Sequence, residues 1–273
     1  MNLFKIDREK CDKDGICATE CPAQIIEITQ EGPVQIEGAS KICIQCGHCV
    51  AVCPKGAFAL NAFSHNECLT LKKDLAMDGN QAEHFIRSRR SIRRYKDKSV
   101  PNDLFESALN IACHAPSGHN QQPVRWLVMN KKNDVTKIGT HVVNWMRYIL
   151  KTHPKTDQMI YLDKLVNQWD QGIDRICRNA PQLVFAHASD ERISASADCH
   201  IALSYLELVL PSFGLGSCWA GFVSNAVKQW PDLTKELHLP KNHTCHGVIM
   251  MGYPKSRYYR APKRNSPKVK YHI

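Results

Sequence analysis

Seven of the thirteen cysteines in this 273-residue chain fall within its first 53 positions, as two copies of one short pattern. The intact copy is Cys43-x-x-Cys46-x-x-Cys49-x-x-x-Cys53-Pro54. An altered copy lies 32 residues upstream, where Cys11, Cys17 and Cys21-Pro22 align with Cys43, Cys49 and Cys53-Pro54, and Asp14 stands in the place of Cys46. The start, MNLFKIDREKC, has neither the apolar core nor the small-residue cleavage site of a signal peptide. Cysteines without a secretory signal point to metal thiolates in a reducing cytoplasm rather than to disulfides.

The intact copy is a bacterial iron–sulfur ligand run. Soft thiolates suit iron–sulfur clusters, and three cysteines at x-x spacing wrap one face of a cubane. The last cysteine, set off by three residues and followed by proline, reaches the other cluster. Cys43, Cys46, Cys49 and Cys21 are therefore expected around one cluster, and Cys11, Cys17 and Cys53 around a second whose open corner is Asp14. A zinc site would explain four ligands but not the duplicated, crossed pattern. Because a carboxylate binds iron more weakly than a thiolate, the Asp14 site is the more labile. It takes a four-iron cluster with aspartate or water at one corner, or a three-iron cluster; the plain alternative is that Asp14 is a loop residue before Gly15. Ile25, Ile26, Ile28, Val34 and Ile36 alternate around Glu31-Gly32-Pro33 as a short hairpin, and Ala57–Leu60 adds an apolar piece. Residues 1–64 resemble two-cluster bacterial ferredoxins.

The chain is too long for that module alone, which leaves residues 65–82 as a polar linker running into a helix and 83–273 as a second domain. Charge divides the same way. Residues 1–64 carry 6 basic and 8 acidic side chains, a net of −2, so the chain's +10 leaves +12 for the rest. The basic residues cluster at Arg87–Lys98 and Lys255–Lys270. Such clusters serve nucleic acid, a solvated surface or an anionic cofactor. No apolar run approaches the ~18 residues of a membrane span.

Helical spacing follows Pro101 through Leu104, Phe105, Ala108, Leu109, Ile111 and Ala112 and stops in Ala115-Pro116-Ser117-Gly118-His119-Asn120-Gln121-Gln122-Pro123. Trp126–Met129, Leu183–Ala186 and Val248–Met251 read as short strands. Residues 194–213 read as a buried central helix, apolar nearly all round. Trp230-Pro231 opens another helix, and 141–178 is amphipathic and aromatic. His119 reads as exposed, and Cys218 as a packed small hydrophobe. Cys68, Cys113, Cys177, Cys199 and Cys245 lack ligand spacing and read as core or surface thiols.

Four segments in order, Arg89-Arg90-Ser91-x-Arg93, Ala115-Pro116-Ser117-Gly118-x-Asn120-x-Gln122-Pro123, Gly214–Phe222 and Gly252-Tyr253-Pro254, resemble the FMN-dependent nitroreductase family over residues 83–273. The resemblance implies an α+β fold overall, in which the small ferredoxin-like iron–sulfur domain precedes a dimeric FMN domain with a mainly antiparallel central sheet flanked by helices. It implies FMN held by Arg89, Arg90 and Ser91 at the phosphate, with Lys263 and Arg264 closing over it. Arg93 and Asn120 would lie at the pyrimidine edge, where a cation stabilises negative charge on the reduced ring. Pro116, Ser117 and Gly118 form a turn that lets backbone approach the cofactor, with Gln122 as a hydrogen-bonding neighbour. Ala220 and Gly221 match the segment whose backbone N–H faces flavin N5, and residues 141–178 would cover the substrate side.

The function implied is an FMN oxidoreductase whose clusters relay electrons from ferredoxin or NAD(P)H to FMN, for reduction of a nitroaromatic or quinone-type acceptor. The homodimer needs neither nucleic acid nor membrane. A redox sensor or electron-transfer subunit without its own substrate is the rival.

Overall fold

The computed structural model describes residues 2–153 and 156–272. The chain divides into two compact units: one of the residues up to Ala76 with Gly118–Gln121, the other of Met77–Ser117 with Gln122 onward.

In the first unit, β1 (Phe4–Ile6), α1 (Ile16–Thr19), the hairpin β2 (Ile26–Thr29) and β3 (Gly32–Gln35), α2 (Ala39–Ile42), α3 (His48–Ala51) and β4 (Phe58–Leu60) follow in order. β1 pairs antiparallel with β4, and the hairpin register sets Thr29 opposite Gly32. The 32-residue repeat is written into the backbone. Left-handed residues recur at Lys13 and Gln45 (φ 56° and 50°), at Gly15 and Gly47 (76° and 75°), and at Gln24 and Gly56 (52° and 61°). Each glycine of the middle pair precedes a one-turn helix, α1 or α3, that carries a buried cysteine. Glycine tolerates this conformation, and a Cβ at Gly47 would also stand 2.6 Å from the Phe63 ring. Phe4 and Phe58, with ring centroids 4.5 Å apart, anchor a small core with Ile25, Ile26 and Val50.

The second unit holds α4 (Gly79–Ser88), α5 (Asn102–Ala112), β5 (Arg125–Met129), α6 (Lys132–Thr152), α7 (Asp157–Asp170), β6 (Gln182–Ser189), α8 (Ala195–Val209), β7 (Gly216–Trp219), α9 (Gly221–Gln229), α10 (Pro231–Glu236) and β8 (His243–Gly252). The sheet order is β5-β6-β8-β7, antiparallel throughout. Alternate side chains of a strand face opposite ways. Leu183 and Phe185 accordingly join a core with residues of α6, α7, α9 and α10, while Val184 and Ala186 join another with α5 and α8. Both faces are covered, so β6 is buried along nearly its whole length and reads as a continuous apolar run.

Two elements depart from the sequence reading. Helix α8 is not apolar and buried all round: Ile201 and Tyr205 are 36% and 40% exposed in the single chain. It also ends at Val209, passing into a 3-10 turn over Leu210–Phe213 that includes Pro211 and closes on Gly214 at φ 70°; proline does not continue an α-helix. The amphipathic stretch at 141–178 falls in two helices, the first beginning at Lys132 and the second ending at Asp170, and in the loop that follows; its residues 154 and 155 lie outside the described residues. These helices approach closely at Gly139, where a Cβ would stand 2.5 Å from Trp169. Pro231 occupies the first turn of α10.

Candidate functional site

Two small voids lie in the first unit. Cys11, Asp14, Cys17 and Cys53 line one; Cys21, Cys43, Cys46 and Cys49 line the other. Each therefore gathers side chains from both halves of the repeat, in the crossed grouping that the spacing implies. Among the described residues no three His, Cys, Asp or Glu side chains converge as one metal ion requires. Four ligand-type groups spaced around a void suit a sulfide-bridged cluster, which holds its thiolates apart, and not a tetrahedral zinc with Zn–S bonds of ~2.3 Å. The residues thus fit the group.

The walls are largely apolar: Ile6 and Phe58 beside the first void, Phe4, Ile25 and Leu60 beside the second. Burial pushes the Cys49 thiol up to about 12 and raises Cys17 as well, so iron must displace protons to bind there. Backbone N–H groups already aim at two sulfurs, from Gln45 to Cys43 Sγ at 3.4 Å and from Ala57 to Cys53 Sγ at 3.2 Å. Asp14 Oδ1 accepts from Ile16 N at 3.1 Å, so the residue orders the entry to α1 while lining the void.

In the second unit the Arg-rich segment lies extended beside the sheet edge. Ile92 N donates to Ser217 O and Lys96 N to Tyr253 O, both at 2.8 Å, and Lys255 N donates to Arg94 O at 3.0 Å. Gly216 makes this possible, because a Cβ there would meet Ile92 Cγ1 at 2.3 Å. Arg87, Arg89 and Arg90 line a cavity together with Lys263 and Arg264, so residues more than 170 positions apart in sequence form one basic wall. Among the described residues Arg90 Nε is buried without a hydrogen-bond partner. An orphaned guanidinium N–H in a wall of cations fits a phosphate, which supplies both charge and acceptors.

Other candidates are placed as follows. Ser91 is half-buried, and its hydroxyl interacts with the Cys218 thiol, which is 5% exposed; burial raises that thiol, and Arg93 and Arg178 oppose the rise. The same two arginines act on the buried Tyr95, whose hydroxyl donates to Ile92 O at 2.7 Å. Sequence reasoning missed Arg178. Its loop packs beside Tyr95, since a Cβ at Gly252 would meet both Pro181 at 2.6 Å and the Tyr95 ring at 3.0 Å. Asp174 pins that loop by accepting from Ile176, Cys177 and Asn179 N at 2.8, 2.8 and 2.7 Å. Arg178 and Asn179 are both left-handed, at φ 59° and 52°. Nothing in the local sequence announced it.

Ala220 N donates to Val248 O at 2.9 Å, so its N–H is spent on the sheet. Gly221 opens α9, where the first N–H groups have no partner within the helix. Pro116 is exposed, and Ser117 Oγ accepts from Gln122 N at 2.9 Å. Gly118 and Asn120 group with the first unit, and there Asn120 Nδ2 donates to Gln45 O at 3.0 Å. His119 is exposed. Of the remaining cysteines, Cys177, Cys199 and Cys245 are buried, Cys68 is half-buried and Cys113 is exposed.

Two ligand-ringed voids and a three-layer antiparallel sheet domain define an iron–sulfur unit joined to an α+β oxidoreductase-type domain. Residues 9–57 match the 4Fe-4S dicluster domain. The chain belongs to the nitroreductase family, whose pattern matches residues 86–253. It is 31% identical over 183 residues to an NADH dehydrogenase of Thermus thermophilus, covering 63% of this chain and 85% of that one. A putative NADH dehydrogenase/NAD(P)H nitroreductase of Archaeoglobus fulgidus is 26% identical, over 67% of this chain and 91% of that protein. The fold is shared with the solved nitroreductase with bound FMN of Bacteroides fragilis, at TM-score 0.56 and 21% identity, over 71% of this chain and all (100%) of that one. Among the described residues no helix is long and apolar enough to cross a membrane.

Proposed function

We propose that the protein is an FMN-dependent oxidoreductase whose two iron–sulfur clusters pass electrons to the flavin for reduction of a small organic acceptor of nitroaromatic or quinone type. The donor is ferredoxin or NAD(P)H. The observation that carries this reading is the pair of ligand-ringed voids in the same chain as a basic, phosphate-suited wall on a nitroreductase-family domain.

The eight ring residues would hold the clusters, with Asp14 at the weaker corner. Arg89, Arg90, Ser91, Lys263 and Arg264 bind the FMN phosphate. The Gly221 N–H, at the positive end of α9, would donate to the ring. Arg93, joined by Arg178, places positive charge where the reduced ring carries negative charge. Asn120, Gln122 and the Pro116–Gly118 turn supply further contacts. FMN exchanges electrons singly with clusters and in pairs with organic acceptors; the chain's part is to bind, orient and exclude water. The half-exposed Ile201 and Tyr205 on α8 support assembly as a homodimer.

The test is an anaerobic visible spectrum with iron, sulfide and flavin counts, followed by mixing the cluster-reduced protein with oxidised FMN bound. Flavin bleaching within the chain is the expected result. Protein that holds clusters and FMN but shows no bleaching would overturn the relay.

A further inference from the structure

A second, open basic cavity has a lining that, apart from Arg89 and Arg90, is not used by any role assigned above. It shares Arg89 and Arg90 with the first, but its other cations are Lys96, Lys255 and Arg257. We infer that it is a separate anion site that takes a phosphoryl group additional to that of FMN.

Four observations converge. First, Lys96 and Lys255 flank the Tyr95–Pro254 bridge on two paired segments, held there by backbone hydrogen bonds. Like charges fixed on adjacent strands repel one another, and among the described residues neither lysine's side chain nor that of Arg257 has an ion-pair partner facing this cavity. Second, among the described residues the only acid in the lining is Glu207, and both its oxygens are already used, by Arg89 Nη1 at 3.0 Å and Trp219 Nε1 at 3.1 Å. It therefore cannot neutralise the lysines. Third, Ser217 lines the cavity at 2% exposure, and its Oγ has no hydrogen-bond partner among the described residues. A buried hydroxyl without a partner is costly unless a ligand supplies one. Fourth, Tyr258 lines the same cavity, with Arg90 against its ring at 5.8 Å.

Several cations, an idle buried hydroxyl and no free carboxylate select a compact polyanion. A phosphoryl or pyrophosphoryl group has this character, whether free or carried by a nicotinamide dinucleotide. The inference rests on the reading that FMN's own phosphate sits with Lys263 and Arg264.

The experiment is calorimetric titration of the FMN-loaded protein with inorganic pyrophosphate at low and at high salt. Saturable binding of about one pyrophosphate per chain, weakened by salt with FMN retained, is expected. Lys255→Gln combined with Arg257→Gln should weaken it at least tenfold, and Ser217→Ala about tenfold, while FMN content stays unchanged. NADPH and NADH titrated in parallel identify the source. If the double variant weakens dinucleotide and pyrophosphate together, the group arrives on a donor; if it weakens pyrophosphate alone, the site is for the free anion. Either result supports the site. No saturable binding to the FMN-loaded protein overturns the second site alone. Displacement of FMN by pyrophosphate, or loss of FMN in the Lys255/Arg257 variant, overturns the site together with the placement of FMN's phosphate beside Lys263 and Arg264.

Discussion

Glu207→Gln offers a sharp energetic test of the basic edge. Glu207 is 8% exposed on α8, and each of its oxygens accepts one hydrogen bond, from Arg89 and from Trp219. Glutamine keeps the shape but brings one acceptor and a competing NH₂ donor. Two donors then face one oxygen, and the orphaned one costs about 1–3 kcal/mol. Arg89 also loses its counter-charge, but its side chain is 24% exposed and water screens part of that loss. The net destabilisation is about 2 kcal/mol. Trp219→Phe alone, which removes one donor, should cost about 1 kcal/mol. The double variant should cost roughly 1 kcal/mol less than the sum, because the single glutamine oxygen then satisfies Arg89 without a competitor. All 5 tryptophans (Trp126, Trp145, Trp169, Trp219 and Trp230) belong to the second unit, so their fluorescence during urea unfolding reports that unit alone. FMN must be held at one concentration across the series, since a ligand of the folded state shifts its apparent stability. A Glu207→Gln protein within about 0.5 kcal/mol of the parent, or strictly additive variants, would refute the network.

Other outcomes follow from the same geometry. Cys46→Ala should abolish one cluster, and Asp14→Cys should give two four-iron signals; unchanged iron content and paramagnetic spectra in both would reject the ligand grouping. Lys263→Gln with Arg264→Gln should weaken FMN at least tenfold while leaving riboflavin, which lacks the phosphate, nearly unaffected; equal losses for both flavins would place the phosphate elsewhere. Burial, the neighbouring His243 and Arg125 depress the His187 imidazole to about 4 in the folded chain, and His187 Nδ1 lies 2.9 Å from His243 Nδ1. The unfolded chain binds that proton nearer 6.5, so His187 reduces stability progressively as pH falls from about 6.5 to 4 and has no effect on its slope above that window. His187→Gln should flatten this acid limb in thermal unfolding of the second unit, and an unaltered limb would contradict the assignment.

Local rules made much of the architecture readable. The apolar run Leu183–Ala186 became the core of β6, a hairpin formed where Glu31-Gly32-Pro33 signalled one, with its turn at Gln30-Glu31 and Gly32 and Pro33 already paired in β3, and Pro231 opened α10, because each depends on neighbours within a few residues. Strand β7 escaped notice: Gly216-Ser217-Cys218-Trp219 has no strong alternation, and its pairing is decided by β8 on one side and Ile92 on the other. The exposed stripe of α8 was likewise hidden, since composition shows that a helix is apolar but not which face its neighbours leave open.

By itself, the order of residues determined the duplicated thiol pattern, the identity of the family and the supply of cations, all of which are properties of type and spacing. Tertiary structure alone decided where those groups meet. It joined Arg87, Arg89 and Arg90 to Lys263 and Arg264, spent the Ala220 N–H on Val248, brought the pinned Arg178 loop against Tyr95, and left the buried Ser217 hydroxyl without a partner among the described residues. The physical reason is range: spacing governs which turns and ligands can form within a few residues, whereas charge, burial and hydrogen-bond satisfaction depend on whatever the folded chain sets alongside, however distant in sequence.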